Sequence, residues 1–72
     1  MQHSVVLFYS TSGALQAEKL LKKEGVTTKL IPVPRQLSSD CGICLRFEHS
    51  KETRVRVILE EGEVEIQGIY PV

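Results

Sequence analysis

The sequence predicts a small α+β domain in which strands pack against helices in two layers. Three observations lead there. A β-branched and aromatic run occupies residues 4–9, an amphipathic helical repeat starts at Ala14, and short apolar segments punctuated by glycine and proline recur to the end of the chain.

The first strand, residues 4–9 (Ser-Val-Val-Leu-Phe-Tyr), is apolar on both faces, which predicts a central place in a sheet. The hydroxyl-rich Ser10-Thr11-Ser12-Gly13 then reads as a helix cap. It resembles a small phosphate-binding turn but lacks the glycine spacing and the lysine of a P-loop. From Ala14 the residues Ala14, Ala17, Leu20 and Leu21 share a face, with Glu18, Lys19, Lys22 and Lys23 mainly on the other. Lysines in the last turn and Gly25 after it mark the stop. A second strand covers 26–31 and ends at Pro32-Val33-Pro34, whose prolines cannot donate to a ladder. A polar loop over 35–40 leads to a third strand, 43–47, with Ile43, Leu45 and Phe47 on one face and Cys44 and Arg46 on the other. Residues 50–61 fit two patterns. Alternation favours the arm of a hairpin slightly; the other reading is a helix capped by Ser50, with Val55, Ile58 and Leu59 inward and Gly62 after the last turn. The last strand spans 64–72, weakened by Gly68 and ended by Pro71.

Seventy-two residues allow one domain, 1–72, with a thin core, since a chain of this size buries only roughly 60% of the surface it exposes unfolded. An apolar content of 42% excludes disorder. Nine basic side chains balance nine acidic ones, which argues against nucleic acid and acidic lipid as partners. No apolar run approaches the ~20 residues of a membrane span, and the start lacks the pattern of a signal peptide, so a cytoplasmic protein is expected. So short a chain leaves little room for a self-contained active site and favours a carrier, adaptor or binding module. The thin core also makes a homodimer plausible.

Cys41 and Cys44 are the only cysteines. Three residues apart, they would close a loop too short to restrain the unfolded chain, and they supply two of the four ligands of a structural zinc. His3 and His49 do not complete a zinc-finger spacing. Sulfur chemistry remains, beside two small apolar side chains in a core. Cys41 falls in the loop mouth, and Gly42 is expected to let backbone approach there. Arg35 and Arg46 flank the stretch and favour a thiolate, whereas Asp40 opposes one. Loop N–H groups and the hydroxyls of Ser38 and Ser39 suit an anion. Cys41 is thus the candidate nucleophile for a sulfur or selenium atom, with Cys44 as a resolving partner. A disulfide between them requires Cys41 to sit in a turn, because positions 41 and 44 of one strand face opposite ways.

The helix Ala14-Leu15-Gln16-Ala17-Glu18-Lys19-Leu20-Leu21, the block Leu30-Ile31-Pro32-Val33-Pro34-Arg35, Leu37-Ser38-Ser39-Asp40-Cys41-Gly42 and then Leu45-Arg46-Phe47 resemble the selenium/sulfur carrier-like family over nearly the whole chain. The resemblance implies the helix over 50–61. The order is then β-α-β-β-α-β, a ferredoxin-like sandwich of a four-stranded antiparallel sheet with two helices on one face. A right-handed crossover would make the first and third strands parallel neighbours. The family pattern maps onto Arg35, Ser38, Ser39, Cys41 and Gly42. Cys44 departs from it, so the resemblance singles out Cys41. The Cys-Pro-x-Pro motif of the sulfur carriers of tRNA thiolation has no counterpart here. The implied role is a carrier without a cofactor, accepting the chalcogen on Cys41 from a desulfurase-type donor and passing it to an acceptor enzyme. A regulatory module that binds protein or ligand, and a CxxC thiol redox protein, are the alternatives.

Overall fold

Ser10 accepts a hydrogen bond from the Gly13 N–H at 3.2 Å and caps the first helix, α1 (Thr11–Lys23), in the computed structural model, which describes residues 2–37 and 41–72. The helix starts three residues before the expected Ala14, because that cap lets Thr11, Ser12 and Gly13 form the first turn. It ends in a Schellman motif. Gly25 adopts φ +79, its N–H donates to the Lys22 carbonyl, and the Val26 N–H donates to Leu21. Val26 is therefore a buried cap residue packing with Leu21 and lies outside the strand that follows.

The remaining elements are β1 (His3–Phe8), β2 (Thr28–Pro32), β3 (Ile43–Glu48), a 3-10 turn (His49–Lys51), α2 (Glu52–Glu61) and β4 (Ile66–Pro71). The sheet order is β2-β3-β1-β4 and every pairing is antiparallel. This is the ferredoxin-like arrangement. β1 and β3 are neighbours as expected, but the parallel orientation is wrong. The α1 crossover makes β1 and β2 co-directional and leaves a gap one strand wide between them, which β3 fills running the other way.

Residues 50–61 resolve as helix. Val55 and Leu59, four apart, are buried, and Glu52 bridges Arg56 at 3.1 Å one turn along, flanking that stripe. Ser50 is not its cap: the Ser50 hydroxyl donates to Glu48 Oε1 at 2.9 Å, and Lys51 stands at the N-cap with no side-chain bond. Gly62 follows the last turn as expected, but with right-handed dihedrals, and the left-handed position of this second Schellman motif falls to Glu63 at φ 57. The two helix ends give paired predictions. A side chain in that region costs about 1 kcal/mol. Gly25→Ala, where nothing lies within 4 Å of the added carbon, should lower stability by about that amount, and Glu63→Gly should raise it similarly in urea unfolding.

Side-chain alternation splits the core. Val6, Phe8, Leu45 and Phe47 point at the helices and pack with Ala14, Ala17, Leu21, Val55 and Leu59. Val5, Leu7 and Cys44 point away from them and are covered by Ile31, Val33, Leu37 and Val72. The chain after β2 thus folds back over one end of the open face, where the Leu37 N–H donates to the Pro34 carbonyl in a turn.

Candidate functional site

The topology brings two connections to the same end of the sheet. β1 and β2 run the same way, so the β1–α1 turn and the β2–β3 link meet above their C-terminal ends. Thr11, the first residue of α1, and Cys41, two residues before β3, are 30 positions apart in sequence. Their side chains nonetheless meet, with Thr11 Oγ1 3.7 Å from Cys41 Sγ. Cys41 is only 3% exposed. The Thr11 hydroxyl, in the first turn of α1, is thus within hydrogen-bonding reach of the sulfur.

Cys44 occupies a different environment. It is fully buried on the open face beside Leu7, opposite Ile31, and its thiol donates to the Pro32 carbonyl at 3.9 Å. Burial pushes its pKa up from the ordinary 9.0, and charge on Cys41 raises it further. A folded-state pKa above the unfolded one makes the protonated thiol a source of stability below pH 9.0, lost as pH rises through the folded value. Thermal unfolding at increasing pH should therefore show a decline in the alkaline range that Cys44→Ala reduces.

The other expected site residues do not all gather at Cys41. Arg35 is exposed in the turn after Pro34. Ser38 and Ser39, like Asp40, lie outside the described residues. Gly42 is exposed, and among the described residues nothing lies within 4 Å of where its Cβ would stand, so the close backbone approach expected there is not seen. Its carbonyl accepts from the Val33 N–H at 3.2 Å, extending the β2–β3 pairing by a step. Arg46 lies well along β3 on the open face, in register with Lys29 and Val5, away from the loop mouth. His3 is exposed, while His49 Nδ1 lies 2.7 Å from the buried Ser4 hydroxyl and 3.7 Å from Glu52. A cleft of about 490 Å³ beside His3, Glu48 and His49 is at the opposite end of β3 from Cys41. No three histidine, cysteine or carboxylate side chains among the described residues converge as a metal site, and no described helix is long and apolar enough to cross a membrane.

Thr11 is the partner that the sequence reading missed. The signal was present: in a βαββαβ order the first and third connections share an end of the sheet, so a capping hydroxyl after β1 falls near a cysteine before β3.

A ferredoxin-like sandwich that holds one thiol at a helix start and a second in the opposite core layer defines a small thiol-bearing α+β protein. The chain belongs to the family described as "Putative Se/S carrier protein-like", whose model matches residues 3–71. It is also similar to YtiA, an uncharacterized protein of Escherichia coli (strain K12), with 38% identity over 45 residues, 62% of this chain and 53% of that protein. The chain thus spans about half the length of this curated relative. No solved structure gives a significant match.

Proposed function

We propose that the chain carries sulfur or selenium on Cys41 and hands it to a partner enzyme of sulfur or selenium metabolism. The observation that carries the reading is the Thr11–Cys41 contact at the start of α1, in a chain of this family. The Cys41 thiolate attacks the terminal sulfur of a donor persulfide of the desulfurase type. The donor's S–S bond breaks, its thiolate leaves with the electron pair, and Cys41 holds the new persulfide with no external oxidant. Delivery repeats the step, with an acceptor nucleophile attacking the terminal atom and Cys41 leaving as thiolate. The Thr11 hydroxyl is placed to donate a hydrogen bond to the Cys41 sulfur as it leaves.

With its sulfur 3% exposed, Cys41 must turn outward to load, through the chain around exposed Gly42. Cys44 is fixed in the core and holds its proton, which suits a packed neighbour better than a resolving nucleophile. The CxxC redox alternative would need the fully buried Cys44 to ionise and attack a mixed disulfide at Cys41. Incubation with a cysteine desulfurase and cysteine, followed by intact mass and peptide mapping, should show one added sulfur on the peptide containing Cys41 and assign it to that residue. Absence of an adduct, or an adduct on Cys44, would overturn the proposal.

A further inference from the structure

The open sheet face carries a row of four residues in direct register, one from each strand: Lys29, Arg46, Val5 and Tyr70, of which Val5 is fully buried and the other three reach solvent. Lys29 and Arg46 stand opposite each other on neighbouring strands, an arrangement of like charges that disfavours the pairing unless something neutralises it. Nothing among the described residues does. Arg54 is held by the Glu24 carbonyl and carboxylate and Arg56 by Glu52, yet neither Lys29 nor Arg46 has an ion pair among the described residues. The nearby Glu48 carboxylate is engaged instead with the Ser50 hydroxyl. Beside the two cations lies a cleft of about 350 Å³, which His3, Thr27 and Phe47 help to line. At the far end of the row Tyr70 is 40% exposed. Its ring lies across Gly68, where an added Cβ would fall 2.7 Å from the phenol oxygen, so the glycine gives the ring a flat seat on the sheet.

We infer that this row is a docking surface for an acidic segment of a partner protein, with Lys29 and Arg46 receiving its carboxylates and Tyr70 its apolar contacts. Arginine and tyrosine are the side chains that most often anchor protein interfaces, and the guanidinium plane matches a carboxylate. The same features count against nucleic acid. Single-stranded nucleic acid on such a sheet needs aromatic platforms on the two central strands, and here those positions hold Val5, Leu7, Cys44 and Arg46. The inference rests on the open face and needs no chemistry at Cys41.

The test is titration of the 15N-labelled full chain with a tetraglutamate peptide, inorganic phosphate or an oligouridylate, each at low and high salt. The peptide should shift the amides of residues 28–30 and 45–47 and the Tyr70 ring, and the shifts should collapse as salt is raised. Arg46→Gln should weaken peptide binding roughly tenfold, as expected for loss of a charged hydrogen bond. Lys29→Gln, on an exposed side chain whose loss leaves the core intact, should weaken it about two- to fivefold. The inference is overturned if these amides do not respond, if Lys29→Gln binds the peptide as tightly as the native chain, or if phosphate or oligouridylate binds more tightly than the peptide.

Discussion

Phe47→Ala should remove a large part of the domain's stability and lower its thermal transition well below that of the native chain. Phe47 is 2% exposed on β3, with partners on both sides: Ser4 of β1 and Thr28 of β2 face it in register, and both helices pack over the layer it belongs to. Truncating a buried phenylalanine costs about 3–5 kcal/mol, because the cavity left behind refills only partly. A domain of this length has about 4–11 kcal/mol in total, so the loss approaches the whole at the lower end. Leu15→Ala, on the exposed face of α1, should change stability by less than about 0.5 kcal/mol and serves as the control. Urea unfolding followed by circular dichroism separates the two. A Phe47→Ala chain as stable as the Leu15→Ala chain would contradict the two-layer core.

Cys41→Ser should abolish sulfur loading, whereas Cys44→Ala should load to the same extent as the native protein. Serine keeps the contact with Thr11 but offers an oxygen that cannot be a thiolate at neutral pH. Cys44→Ala removes a side chain on the other side of the sheet and so costs stability without touching the attacking atom. The pair of variants also separates the rival functions. A CxxC oxidoreductase loses turnover with either cysteine replaced, because each completes the other's disulfide. A binding module keeps its partner in both. Only a carrier acting through the loop thiol responds to one variant and ignores the other.

The elements were largely legible from sequence because local signals agreed with the global fold. The apolar run at Val5–Phe8, the face of α1 and the alternation of Leu45 and Phe47 against Cys44 each reported burial directly. The strand boundaries were less so: Val26 reads as strand by residue type, yet a backbone bond to Leu21 holds it as a helix cap, and this depends on the conformation of Gly25. The stretch 50–61 alternates and also has a helical period, and the choice falls to helix because Ile58 then joins Val55 and Leu59 at the core while Val57, which a strand would place with them, turns out to solvent. At the site, Cys41 stood out by its chemistry alone. Its contact with Thr11 did not, because it spans 30 residues and exists only once the sheet is closed. The placing of Arg46 was misjudged for a similar reason. Arg46 is the fourth residue of β3, and three steps along a strand carry a side chain about 10 Å from the loop where the strand begins.

The position of β1 has a consequence for synthesis. Of these four strands it is made first, yet it bonds on one side to β3 and on the other to β4, made last of the four. At about 5–20 residues per second, Val5 to Phe8 wait for several seconds with no neighbour to cover them. A nascent chain carrying such a sticky leading segment is a natural client for ribosome-bound chaperones, and slower translation downstream lengthens that exposure.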